Sequence, residues 1–224
     1  MARKGAAWLS VCGVLALATV VAASARGAVI YVNAAATGAK TGVSWPDAMD
    51  DLQAALEVAQ AGDEIWVAAG LYTPAPAGGP REASFTLVSA TGLYGGFTGV
   101  ETARDQRDPA SHPTILSGDL NQDDEPDFVN RDDNAYHVVV SLDTDPSTVF
   151  DGFVVSGGQA DGPGFGASPE SMDQGSGLNV YGGRLTVSRC TFTDNWAFNH
   201  GAINHHGVGA SVVRDCTFIG NHSA

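Results

Sequence analysis

The chain has 224 residues, 44% of them hydrophobic, with 25 Asp+Glu against 11 Lys+Arg and a formal net charge of −14. That length is enough for one ordinary domain. The charge excludes a surface built to grip nucleic acid or anionic lipid and favours cations or neutral partners.

Residues 1–25 are expected to be a secretion signal peptide. Arg3 and Lys4 precede an apolar run from about Ala6 to Ala22, and Ala23-Ser24-Ala25 supplies a small-x-small cleavage site. Removing them leaves 9 Lys+Arg against 25 Asp+Glu, a net charge of −16. It also removes Cys12, so the exported part keeps only Cys190 and Cys216.

Residues 26–83 are expected to form an N-terminal cap and first rung. Ala28 to Asn33 reads as a strand. Ser44-Trp45-Pro46-Asp47 then reads as a helix start, with Ser44 as N-cap and Pro where its missing N–H is harmless. Ala48, Leu52, Ala55, Leu56 and Ala59 share one face of this amphipathic helix, and Gly62 ends it. Its expected use is to cover the open end of a stack of strands.

Residues 84–224 are expected to be rungs with unequal loops. Short strands are predicted at Ser84 to Val88, Gly92 to Phe97, Thr114 to Leu116, Tyr136 to Leu142 and Val149 to Ser156, bounded by Gly, Pro, Asp or Asn. Residues 99–112 are polar and unpatterned. Loop insertions are predicted at 118–135 and at the Gly- and Pro-rich 157–176.

The last fifty residues repeat. Cys190/Cys216, Phe192/Phe218 and Asn195/Asn221 are each 26 residues apart, while Ser176-Gly177-Leu178-Asn179 matches Gly201-Ala202-Ile203-Asn204 at an offset of 25. One extra residue therefore belongs to the second copy, near Gly207 to Gly209. A fixed period of this size marks a solenoid whose units bury their apolar face on one another. Thr, Val and Phe alternate with polar residues, so the units are strands. Leu185, Val187, Cys190 and Phe192 are expected to point inward over Ser211, Val213, Cys216 and Phe218. At a spacing of roughly 4.8 Å like residues lie on like, giving a Phe stack and an Asn ladder, with Asn turning the left-handed corner. Two reduced core cysteines and a disulfide both remain open for Cys190 and Cys216.

These residues carry a resemblance. Gly201-Ala202-Ile203 together with Phe-x-x-Asn at Phe192 to Asn195 and Phe218 to Asn221 resembles the repeat of polymorphic outer-membrane proteins. More broadly, the chain resembles secreted right-handed parallel β-helix proteins of the pectin-lyase-like class. Tyr31-Val32-Asn33, Ser44-Trp45 and Gly62 to Tyr72 look like the N-terminal cap of that class. The resemblance implies an all-β, right-handed parallel β-helix with an N-terminal capping helix, at an extracellular, secreted or outer-membrane location. Because the last rung carries no capping helix or polar last coil, it is expected to continue into a longer array or to dock elsewhere, and membrane attachment is expected only through export or a further domain.

For chemistry, residues 101–145 hold 12 of the 25 acids. Asp119, Asn121 and Asp123 at alternate positions, with Asp127, imitate the opening of a calcium loop, although Asp124 stands where a tight turn wants Gly. Calcium is the one cofactor this pattern suggests, and none is required. His200, His205, His206 and His222 crowd the last two rungs as turn and surface groups, with His200, His205 and His222 as the alternative transition-metal ligands. The expected function is a structural or adhesin-like scaffold whose polar faces contact glycans or proteins, with no nucleic acid partner. The competing expectation is a polysaccharide lyase or glycoside hydrolase, with a groove between the acidic segment 119–133 and the 157–176 insertion. A lyase needs a basic residue, and the exported part has one lysine, Lys40.

Overall fold

A computed structural model describes Met1 and residues 27–166, 168, 170–207 and 209–224. The expected signal peptide and its cleavage site lie outside the described residues. The N-terminal part contains β1 (Val29–Val32), α1 (Leu52–Val58), β2 (Glu64–Ala68), β3 (Gly70–Tyr72), β4 (Phe85–Thr86), β5 (Gly92–Phe97) and β6 (Thr114–Ser117). The middle adds β7 (Val139–Leu142), β8 (Val149–Asp151), β9 (Phe153–Ser156) and β10 (Gln159–Ala160). Two copies of one pattern follow: β11 (Leu178–Tyr181), β12 (Thr186–Ser188), β13 (Thr191–Thr193) and β14 (Trp196–Ala197), then β15 (Ile203–His206), β16 (Val212–Arg214), β17 (Thr217–Ile219) and β18 (His222–Ser223).

The fold is all-β apart from α1 and short turns, and its strands form four parallel sheets. Sheet I has the order β1-β2-β5-β8-β12-β16, sheet II β17-β13-β9-β6-β3, sheet III β10-β14-β18 and sheet IV β15-β11-β7-β4. From β8 onward the chain visits sheets I, II, III and IV in turn and then returns to I, one strand further along. Register follows the repeat: Val187 pairs with Val213, Phe192 with Phe218 and Leu178 with Ile203. The offset changes from 25 to 26 between β15 and β16, where the sequence places the extra residue.

Parallel strands buried on one side demand that every second residue be apolar, and the interior shows this. Leu185, Val187, Cys190 and Phe192 are all at most 2% exposed, in one core cluster with Leu93, Leu116, Phe150, Phe153 and Leu178. Phe192 and Phe218 stack at 5.2 Å with an interplanar angle of 9°. Fully burying one such side chain contributes about 1.5–3 kcal/mol.

The helix is shorter than its sequence pattern. It starts at Leu52 with Asp51, not Ser44, as N-cap, and the Asp51 side chain accepts from the Gln53 N–H at 2.9 Å. Ser44 to Asp47 instead forms a turn that Ser44 Oγ closes on the Asp47 N–H. The reason is competition for backbone groups. Met49 exchanges hydrogen bonds with Tyr31 and Asn33 beside β1, which holds Ala48 to Asp50 extended. Leu52, Ala55 and Leu56 still face the interior with Val32, Ile65 and Val67, so the helix covers the first strands as expected.

The corners also correct the sequence reading. The left-handed residues are Gly157 (φ 73°), Asp194 (φ 54°) and Gly220 (φ 62°), each just before the position of Gly158, Asn195 and Asn221. Asn195 is not the turning residue. It is fully buried, donating from Nδ2 to Val155 O and accepting at Oδ1 from the Gly158 N–H. Asn221 repeats this one strand on, donating to Phe192 O and accepting from Asn195 Nδ2. A buried asparagine that bridges two passes satisfies corner amides the sheets cannot reach.

Candidate functional site

The 118–135 insertion leaves the end of β6 and folds over the corner where sheets II and III meet. Asp119 holds the loop together, because its carboxylate accepts from the Asp123 N–H at 3.2 Å and the Asp124 N–H at 3.1 Å. A short turn at Pro126–Phe128 follows, with Asp127 and Phe128 both at positive φ. The loop and the corner enclose a cleft of about 510 Å³ lined by Ser117, Asp119, Asp124 to Phe128, Arg131, Ser156, Gly157 and Asp194.

Two charged side chains form its floor. Arg131 is buried, with Nη1 donating to Asp194 O at 2.6 Å and Nη2 lying 3.3 Å from Asp124 Oδ2. Its guanidinium sits 4.5 Å over the Phe128 ring, which in turn lies 5.9 Å from the His222 ring. Burial pushes the Asp124 carboxyl up to about 6, with the Asn134 hydrogen bond and Arg131 opposing and Asp119 and Asp133 reinforcing the rise. Asp124 Oδ1 and Arg131 Nε are buried and have no hydrogen-bond partner among the described protein atoms. The cleft thus brings together an aromatic ring covered on one face by a guanidinium, two buried polar atoms without a protein partner and several carboxylates.

The residues expected to hold calcium are only partly brought together. Asp119 and Asp123 converge with Asp133, each offering a carboxylate oxygen within 4.8 Å of the others. Asn121 turns away, its Oδ1 accepting from the Gly78 N–H at 2.9 Å, and Asp127 lines the cleft instead. The loop crosses back on itself, so Asp133 takes the place a linear 1-3-5 reading gives to Asn121.

The expected groove between the acidic segment and the 157–176 insertion is not the cleft. Apart from Gly157, that insertion contributes none of the cleft's lining and packs elsewhere. Asp161 pairs with Arg81, and buried His137 sits 2.9 Å from Ser171 O and 3.3 Å from Gly175 O. The four histidines separate as well. His206 stacks on Tyr181 and His222 lies by Phe128, while His205 points inward with Nε2 buried and unpartnered. Among the described residues, only the three aspartates above form a group of three or more candidate ligands.

A second polar centre was not visible in the sequence. Residues 99–112, unpatterned as a string, cover the outer face of sheet I. Arg107 reaches through this cover to Asp151 and Gly95 O, and both side chains are almost wholly buried. Arg189 from the next pass closes a bidentate pair on Asp151 at 3.0 and 2.9 Å, and Ser188 donates to the same carboxylate. Burial alone would raise the Asp151 carboxyl, but the bonds from Arg189, Ser188 and Arg107 outweigh it and hold it below the usual carboxylate range. Gly152 makes this possible, because it has φ 84° and a Cβ there would lie 2.5 Å from the Arg107 guanidinium. Arg189 therefore ties two passes together.

Cys190 and Cys216 are both free, with Cys190 buried and Cys216 partly so. No protein family, curated protein or solved structure matches this chain.

Proposed function

We propose that this chain is a right-handed parallel β-helix, exported to the cell surface or beyond, that serves as a stiff scaffold and contacts glycans through the cleft under the 118–135 loop. The right hand follows from the general rule for crossovers between parallel neighbours in one sheet, which β8 to β12 and β12 to β16 both are. Stiffness follows from buried Asn, Phe and Asp–Arg contacts that each join one pass to the next. The observation that carries the ligand class is the Phe128 face beside Asp124 Oδ1 and Arg131 Nε, polar atoms buried without a protein partner. Sugars meet such a surface with an apolar ring face and hydroxyls that bond carboxylates and guanidinium. Neutral sugars fit a chain of this net charge better than polyanions.

Glycan-array binding with the exported chain tests this reading. Retention of neutral oligosaccharides that is lost in Phe128→Ala and Arg131→Gln supports it. Equal retention by both variants overturns it.

One observation favours a second reading. A carboxyl pushed up to about 6 beside other acids has the protonation that the general-acid half of a glycoside hydrolase pair needs. Under that reading Asp124 protonates the leaving oxygen, and Asp194 or Asp127 supplies the second carboxylate. Release of reducing sugar that vanishes in Asp124→Asn would favour hydrolysis over scaffolding.

A further inference from the structure

We propose that Cys190 and Cys216 form a two-coordinate site for a soft d10 cation such as copper(I). The argument is one of translation. Cys190 Sγ lies 3.2 Å from Ser188 O and 3.8 Å from Phe150 O. Cys216 Sγ lies 3.2 Å from Arg214 O and 3.8 Å from Val187 O. Ser188 pairs with Arg214 and Phe150 with Val187, so the second thiol is the first moved by one strand. Parallel strands lie roughly 4.8 Å apart, and the sulfurs inherit that separation.

This distance selects the chemistry. A disulfide needs sulfurs at about 2.05 Å with Cβ vectors turned toward each other, which parallel stacked side chains do not offer. Two metal–thiolate bonds of roughly 2.3 Å placed in line span about 4.6 Å. Soft thiolates select copper(I). A linear ion asks for no third ligand, which suits Cys190 in the core cluster that holds Val187, Phe192 and Phe150, with Cys216 packed against that cluster. Binding forms two S–Cu bonds, and the two thiol protons leave to solvent. Entry is from the Cys216 side, where that residue is partly exposed, and a groove of about 430 Å³ also borders Cys190.

The proposal is independent of the cleft under the 118–135 loop and is tested separately. The reduced full chain carrying C12A, so that no third thiol competes, is titrated anaerobically with copper(I) against bicinchoninate. The expected result is one copper withdrawn per chain, with ultraviolet thiolate-to-copper absorption, and loss of both in C216A. Because Cys216 is only partly buried, C216A keeps the fold, which circular dichroism verifies. Copper left on the competitor by the parent chain as fully as by C216A overturns the site. So does quantitative disulfide formation on mild oxidation with an unchanged unfolding midpoint, since the sulfurs would then lie within bonding range.

Discussion

The two copies at the end of the chain share a sequence pattern and differ in energy. Phe192 is 0% exposed and Phe218 is 50%, while Val187 is 1% and Val213 is 46%. Among the described residues, the first copy is covered on both sides by other passes, and the second only by the first. Identical residues at identical register therefore contribute unequally, because apolar burial depends on neighbours and not on the residue alone.

That contrast is open to direct test. Phe192→Ala removes a ring packed on all sides and is expected to cost about 3–5 kcal/mol. Phe218→Ala is expected to cost under about 1.5 kcal/mol, since half the ring is already wet. Urea unfolding of both variants reads the difference, and equal losses would mean that the last pass is covered in solution. The polar residues sharpen the same point. Asp151→Ala strands the buried Arg107 guanidinium and is expected to cost about 3–5 kcal/mol, whereas Arg214→Ala, two passes further along the same sheet, stays within about 0.5 kcal/mol.

Smaller effects belong to the acidic loop. Calcium at ten times its Kd is expected to stabilise the fold by about 1.4 kcal/mol, and Asp133→Asn is expected to remove that gain. A thermal midpoint indifferent to EDTA and calcium would leave Asp119, Asp123 and Asp133 without a cation. The smallest expected effect is on pH dependence, where two aspartates act with opposite sign. Asp151 has its carboxyl held low, so its contribution is present above the ordinary value and is lost as pH falls through the lower folded value. Asp124 has its carboxyl raised, so its contribution is present below 3.8 and is lost as pH rises through about 6. Asp124→Asn is therefore expected to flatten the decline in unfolding midpoint between about pH 4 and 6 while leaving the acid limb intact.

Much of the strand arrangement was legible. The 26-residue offset predicted which residues pair, and Phe192 and Phe218 stack as the repeat implies. Asn195 and Asn221 do form a ladder, but as buried bridges and not as turning residues. Alternation reports which side a residue faces, and it does not report which backbone atom lacks a partner. The acidic site was half legible: Asp119 and Asp123 were found, and Asp133 was missed because a loop that folds back has no period. The Arg107–Asp151–Arg189 centre gave no signal, because Arg107 sits in an unpatterned segment and its partners come from two other passes.

The sequence by itself determined the repeat, its register and the inward face, because parallel stacking of like on like translates period directly into position. The tertiary structure alone decided where α1 begins, that Phe128 and Arg131 flank one cleft, and that Asp151 is shared by two passes. Those outcomes rest on competition between distant groups for the same hydrogen bonds and the same dry space, and no window of neighbouring residues contains that competition.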